Sequence, residues 1–272
     1  MNAIHPTSQD ALDKARQALQ AAGQSTRDLG RQRIDQALRW IYRWGWSSPM
    51  VIDALTGAQR RGLAAKLVRV GLAIETRTAS GAIIEDIPSK IITLTDQGVS
   101  LVDKQLAESD LLDYQINPYK INQALLRHDL LAQRATLKKM RDGILHDFQT
   151  PKELAVKSTA GEKQPDVLWI RKNSRDRIAV EVELTAKFQR KLNDFVWGIV
   201  TGLSTVNDRP PLFDRCLIAT DSPAILKRYQ DAFKPGASVH RWKKDTQSRW
   251  KIDHTVRVPA YVYERMMWEL IK

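Results

Sequence analysis

The sequence predicts an α+β protein, and two observations indicate this class. Helical periodicity dominates up to about residue 70, and the segments that follow it alternate polar and apolar positions and are rich in Ile and Thr, as strands are. From residue 120 onward, helical segments and strand candidates alternate along the chain, which is typical of a domain with a mixed sheet. A chain of 272 residues is long enough for two domains of ordinary size.

We expect four segments along the chain. Residues 1–30 are predicted to form an N-terminal extension, and residues 31–108 a first domain. Residues 109–119 contain Asn-Pro and are predicted to be a linker, because this dipeptide interrupts regular structure. Residues 120–272 then form the second, α/β domain.

The charge balance indicates a polyanionic partner. Lys and Arg number 43 against 31 Asp and Glu, a formal net charge of +12, which favours nucleic acid or an anionic membrane surface. No apolar run approaches the roughly 20 residues that span a bilayer, so we expect no membrane partner. The N-terminus lacks the apolar core of a secretory signal, and Cys216 is the only cysteine. A cytoplasmic protein is therefore expected.

The elements of the first domain follow in order. Ile34 and Leu38 begin the apolar face of a first helix, and Ser48 before Pro49 is a good start for a second. A third helix is predicted to end at Gly71. Two alternating segments then form a hairpin, and a fourth helix completes the domain.

This order of three helices, a hairpin and a helix resembles the winged helix-turn-helix family. The resemblance implies that the third helix enters the major groove of DNA and that the hairpin contacts the backbone. Gln59, Arg60 and Arg61 are predicted to open that helix and to read base edges, because Gln matches adenine and Arg matches guanine. Backbone contacts are expected from Lys66, Arg69, Arg77 and Lys90. Winged helices also serve as dimerisation or peptide-binding modules, and this alternative stays open.

Three carboxylates are the distinctive feature of the second domain. Asp166 begins an apolar strand, and Glu181 and Glu183 stand two apart on the next, where side chains share a face. A hairpin between the strands would bring the three together. Converging carboxylates recruit a cation, and oxygen ligands suit Mg²⁺ or Mn²⁺. We expect Asp166 and Glu181 to bind the metal for phosphodiester cleavage, with Arg190 and Lys191 holding the DNA backbone.

These residues resemble the motif of the PD-(D/E)XK nuclease superfamily. Pro165-Asp166 matches its first element, and Glu181-Val182-Glu183 its second, except that Glu183 stands where lysine is usual. The resemblance implies a catalytic set of Asp166, Glu181 and Glu183, with Lys187 supplying the missing ammonium. The predicted order of helix, three strands, helix and strand from residue 120 also agrees with the core of that superfamily.

A narrower resemblance is to the replication-relaxation family, which includes the MobC-type plasmid relaxases. It depends on a winged helix followed by a helix containing His128 and by the Glu-Val-Glu strand. The resemblance implies nicking of double-stranded DNA at a plasmid origin, in mobilization or replication. A homodimer, or contact with other transfer or replication proteins, is compatible with it.

Several alternatives remain open. Glu-x-Glu arises often by chance, so a degenerate nuclease fold in a non-catalytic DNA-binding regulator or accessory factor is the alternative to an endonuclease. Near the C-terminus, a basic-aromatic stretch either stacks unpaired bases or forms an ordinary surface hairpin. Its members are Trp242, Lys243, Lys244, Arg249 and Trp250. The chain is predicted to end in a helix over residues 261–272.

Overall fold

The computed structural model describes residues 25–56, 62–79, 86–157, 163–206 and 208–271, together with residues 13, 17 and 23. The chain is α+β, as the sequence predicts, with helices and a mixed five-stranded sheet. It divides into two compact units. The first contains the described residues up to Thr76 together with Ile92–Pro118, and the second contains Arg77–Ile91 together with the residues from Tyr119 onward.

The described residues of the first unit form four α-helices and most of a two-stranded sheet, whose outer ends belong to the second unit. The helices are α1 (Thr26–Trp44), α2 (Pro49–Leu55), α3 (Leu63–Arg69) and α4 (Asp96–Asp103), and the strands are β1 (Ala73–Arg77) and β2 (Lys90–Leu94). Ser48 caps α2 as the sequence predicts, because its hydroxyl accepts a hydrogen bond from the Val51 N–H. Gly45 ends α1 in the left-handed conformation, with a φ of 83°.

The segment predicted as a linker is packed within the first unit. Tyr114 is 8% exposed, its hydroxyl accepts from the Leu94 N–H at 2.9 Å, and it donates to the Gly45 carbonyl at 2.9 Å. Its ring stacks on Tyr42 at a centroid distance of 5.6 Å. Burial raises the pKa of the Tyr114 hydroxyl, so the group stays neutral. These contacts give the segment a structural role in this unit.

The second unit is built around a five-stranded sheet. Its helices are α5 (Leu126–Arg141), α6 (Pro151–Lys157), α7 (Gln189–Gly202), α8 (Pro223–Ala232) and α9 (Ala260–Glu264). Its strands are β3 (Leu145–Gln149), β4 (Val167–Arg171), β5 (Arg177–Val182), β6 (Arg215–Thr220), β7 (Ser238–Lys244), β8 (Trp250–Arg257) and β9 (Met266–Leu270). The sheet order is β3-β4-β5-β6-β9, while β7 and β8 pair separately.

Strand direction changes in the middle of this sheet. β3, β4 and β5 are antiparallel neighbours, whereas β5, β6 and β9 run parallel to one another. α7 connects β5 to β6, since parallel neighbours need a crossover. The order α5, β3, β4, β5, α7, β6 agrees with the prediction, with the short α6 inserted between β3 and β4.

The predicted C-terminal helix over residues 261–272 forms only in its first turn. Helix α9 ends at Glu264, and Met266–Leu270 then form β9, which pairs with β6 from Cys216↔Met266 to Thr220↔Leu270. The segment is apolar enough for either conformation. Pairing along β6 satisfies its backbone hydrogen bonds at the edge of the sheet, and this tertiary contact outweighs local helix propensity.

One hydrophobic cluster of the second unit joins buried side chains of the sheet with those of α7, α8 and α9. Gly202 shows how tightly it is packed, because a Cβ there would lie 2.3 Å from the ring of Phe213. Among the described residues, no helix has both the length and the apolar character needed to cross a bilayer.

Candidate functional site

An open pocket of about 790 Å³ lies where β5 ends and the chain turns toward α7. The three acids predicted from the sequence all line it, and basic side chains surround them. The polar lining is Asp166, Glu181, Glu183, His128, Arg127, Lys163, Lys187, Lys191, Asp194 and Thr185.

Asp166 is held at the head of β4 by the neighbouring strand and by α5. Its N–H donates to the Val180 carbonyl at 3.0 Å, and its Oδ2 accepts from the Val182 N–H at 2.7 Å. The same Oδ2 lies 3.0 Å from His128 Nε2. Burial alone would raise the Asp166 pKa, but the hydrogen bond and charge of His128 hold it below its ordinary value. Asp166 is therefore a carboxylate at neutral pH.

His128 is positioned between two carboxylates. Its Nδ1 lies 3.0 Å from Asp129 Oδ1, so both ring nitrogens have an acidic partner. Burial would lower the pKa of the imidazole, but Asp129 and Asp166 raise it to about 10. His128 is thus a cation at neutral pH that orients Asp166.

Glu181 is the most deeply buried acid in the pocket. Its side chain is 2% exposed, and Oε2 accepts from Lys163 Nζ at 2.6 Å. Oε1 is buried and has no hydrogen-bond partner in the described part of the chain. Burial and the nearby charge of Asp166 raise the Glu181 pKa to about 8, and the Lys163 ammonium only partly offsets them. A buried carboxyl with an unpaired oxygen is costly unless a further ligand or a proton compensates it.

The sequence predicts Glu183 on the same strand as Glu181, but β5 ends at Val182 and Glu183 is the residue that follows it. Its N–H donates to the Ala219 carbonyl at 2.8 Å, which continues the sheet pairing by one residue and keeps the side chain beside Glu181. Glu183 Oε2 accepts from the Tyr229 hydroxyl at 2.7 Å, and Oε1 is paired with Lys187 Nζ. Both oxygens are therefore occupied by the protein.

The ammonium beside Glu181 belongs to Lys163, which sequence reasoning missed. Lys187 was predicted to supply it, but Lys187 lies in the loop before α7 and contacts Glu183. The usable signal was that Lys163 stands three residues before Asp166, on the approach to β4. Gly198 gives the lysine stem its space, because a Cβ there would lie 3.1 Å from Lys163 Cβ.

Tyr229 was also missed, and no sequence signal marks it. It lies on α8, 46 positions after Glu183, and only the packing of that helix beside β6 brings its hydroxyl to the carboxylate. Burial and Glu183 raise the pKa of the tyrosine, so it stays a hydrogen-bond donor.

The predicted DNA-contacting residues fall into three groups. Gln59, Arg60 and Arg61 lie outside the described residues, and α3 begins only at Leu63. The side chains of Lys66, Arg69 and Arg77 are exposed, whereas Lys90 is half-buried. In the second unit, Lys191 is exposed and lines the pocket, and Arg190 is paired with Asp194 at 3.1 Å.

The available carboxylate oxygens decide whether a divalent cation fits. Asp166 Oδ1 and Glu181 Oε1 make no hydrogen bond within the described residues, and both residues line the pocket, which leaves one unpaired oxygen on each. In the same part of the chain, no group of three or more His, Cys, Asp or Glu side chains is arranged as a metal cluster. Mg²⁺ commonly takes only one or two carboxylates and completes its shell with waters and substrate phosphates. The pair therefore fits Mg²⁺ bound together with substrate.

Similarity to known proteins adds nothing to this site. No protein-family model matches the chain, and neither a curated protein nor a solved structure matches it. The side chains of the pocket and their geometry are therefore the basis for a functional assignment.

Proposed function

We propose that this protein binds double-stranded DNA through its first unit and cleaves a phosphodiester bond in the pocket of its second unit. The single observation that supports cleavage is that Asp166 and Glu181 both line a pocket with basic side chains, and that each has an oxygen that makes no hydrogen bond to the described part of the chain. A phosphodiester is an anion, so the basic lining suits the substrate and the two free oxygens suit a divalent cation.

Each residue has a defined part in this proposal. Asp166 and Glu181 would bind Mg²⁺ or Mn²⁺, which polarises the scissile phosphate and activates water. His128 keeps Asp166 ionised and oriented through the 3.0 Å hydrogen bond. Lys163 remains beside Glu181, where its ammonium stabilises negative charge that develops on the phosphate. Glu183 is held by Lys187 and Tyr229 and acts as a structural support for the end of β5.

Binding to duplex DNA is supported by charge and by the order of elements. The net charge of +12 favours a polyanion, and Lys66 and Arg69 are exposed on α3. Three helices, a paired strand hairpin and a fourth helix follow the order of a winged helix-turn-helix. The resemblance to plasmid relaxases makes plasmid or other mobile-element DNA, in mobilization or replication, the proposed substrate.

A non-catalytic DNA-binding role is the second candidate, and one observation favours it. Each of the three acids predicted from the sequence already has a cationic partner from the chain, namely His128 for Asp166, Lys163 for Glu181 and Lys187 for Glu183. Protein cations can replace a metal in neutralising an acidic cluster. The fold would then serve as a regulator or accessory factor that holds DNA without cutting it.

Incubation with supercoiled plasmid separates the two candidates. The wild type, Asp166→Ala and Glu181→Ala are incubated with Mg²⁺, with Mn²⁺ and with EDTA, and nicked and linear DNA are measured. The nuclease proposal predicts metal-dependent nicking that both variants lose and that Glu264→Ala, a carboxylate deletion on the exposed surface of α9, retains. DNA binding without nicking under either metal would support the accessory role. A DNA affinity that does not fall as the salt concentration rises would contradict DNA binding through phosphate contacts.

A further inference from the structure

The hairpin formed by β7 and β8 is unusually exposed for a pair of strands. Every residue of β8 is exposed except Val256, which is half-buried, and the side chains of Trp250 and Ile252 are each 47% exposed. A two-stranded hairpin is marginally stable by itself, and this one is held to α7 by a hydrogen bond from the His240 N–H to Asn193 Oδ1 at 2.8 Å. Trp250 therefore contributes little to the core, and its exposure calls for another role.

The charge of the hairpin suits an anionic partner. Residues 238–257 contain six Lys and Arg and two Asp, a formal charge of +4. Both aspartates are already paired within the hairpin, Asp245 with Arg249 at 3.1 Å and Asp253 with Lys243. Of the cations that remain, Lys244, Lys251 and Arg257 are exposed, and exposed cations favour a polyanion.

The strand register places both tryptophans of the hairpin, together with Ile252 and Lys244, on one face. Lys244 pairs with Trp250, and Trp242 with Ile252, so these four side chains share a side of the hairpin. Lys251 pairs with Lys243 on the opposite side. We call the exposed part of the first side, Lys244, Trp250 and Ile252 together with Arg190 of α7, the hairpin strip.

Arg190 links the hairpin strip to the proposed cleavage pocket. The guanidinium of Arg190 stacks on Trp250 at 4.1 Å from the ring centroid, and Lys244 Nζ lies 5.5 Å from the same ring. Arg190 is also bonded to Asp194, which lines the pocket beside Lys191. A DNA strand with one phosphate in the pocket could therefore extend along α7 to the ring of Trp250, which has Arg190 and Lys244 beside it.

We infer that the hairpin strip binds single-stranded DNA, with an unpaired base stacked on Trp250 and the backbone beside Lys244 and Arg190. Bases in a duplex are stacked on their neighbours, so an exposed ring flanked by cations is suited to an unpaired base. This inference rests on the proposed function, because it assigns the strip to the strand that leaves the cleavage pocket. It names a single-strand site besides the duplex site of the first unit.

The test measures binding without cleavage. Full-length protein is titrated in EDTA against fluorescent oligothymidylate of about 15 nucleotides, a length that fits single-strand sites of this kind, and against a duplex of the same length. Trp250→Ala should weaken single-strand binding by about tenfold or more, the effect of losing one stacked base, and should leave duplex binding within about twofold. Trp250→Phe should restore most of the affinity, because it keeps an aromatic face.

Matched charge deletions serve as the control. Lys244→Ala removes a cation beside the ring and should weaken single-strand binding more than Lys251→Ala, which removes the same charge from the opposite side. Trp250→Ala with wild-type single-strand affinity, or with equal losses on single strand and duplex, would overturn the inference. The inference would also be overturned if Trp250→Ala lost binding to anionic phospholipid vesicles but kept its binding to oligothymidylate. A wild type that nicks plasmid while Trp250→Ala binds normally would leave the proposed function intact and reject the strip alone.

Discussion

Replacing Glu181 by Gln tests the electrostatics of the pocket directly. The Glu181 pKa is about 8 in the folded protein against 4.5 as its ordinary value, so folding favours the protonated form. Stability from this group is therefore fully present below about pH 4.5 and is lost as the pH rises through about 8. Linkage over these two values gives a loss of about 3 kcal/mol between about pH 5.5 and about pH 8.5. Glu181→Gln keeps the shape of the side chain but cannot ionise, so it should escape that loss.

The assay is chemical denaturation in EDTA at both pH values, followed by tryptophan fluorescence. The free energy of unfolding of Glu181→Gln, relative to that of the wild type, should be about 3 kcal/mol higher at the higher pH than at the lower pH. Glu264→Gln, on the exposed surface of α9, controls for the loss of one carboxylate and should follow the wild type. If the wild type and Glu181→Gln lose stability in parallel over this range, the carboxyl does not hold its proton and the reasoning is wrong.

Three further predictions concern packing and charge. Gly98→Ala should destabilise the protein by about 3 kcal/mol or more, because its Cβ would lie 2.1 Å from a backbone carbonyl oxygen. Gly30→Ala, whose Cβ meets no atom within 4 Å, should instead stabilise α1 by about 0.5–1 kcal/mol. Thermal denaturation compares the two variants. His128→Gln should cost most stability below about pH 6.5 and progressively less as the pH approaches 10, since the raised His128 pKa makes its contribution fade over that interval; a cost that does not change with pH would contradict the paired imidazolium. Gly198→Ala should displace the Lys163 stem, and should lower plasmid nicking about tenfold or more while leaving DNA affinity unchanged. Equal nicking rates for the variant and the wild type would show that the position of the Lys163 ammonium is unimportant.

Local signals in the sequence account for much of the fold. Ser48 before Pro49 marks the start of α2 because a hydroxyl accepts a backbone N–H there, and Gly45 marks the end of α1 because it adopts a positive φ without strain. The alternation around Asp166 and Glu181 predicts adjacent strands, and the antiparallel pairing of β4 with β5 brings both acids to one pocket. These features depend on neighbours within a few residues, which a sequence displays.

The partners of the acids were decided by tertiary structure. His128 is 38 positions from Asp166 and Tyr229 is 46 from Glu183, and only the packing of α5 and α8 against the sheet creates these contacts. The same holds for β9, whose conformation depends on the free edge of β6. Sequence alone determined which residues carry charge and which segments are periodic. Which charge faces which was determined by the folded chain, because electrostatic pairing depends on distance in space and on burial, and neither is encoded in local spacing.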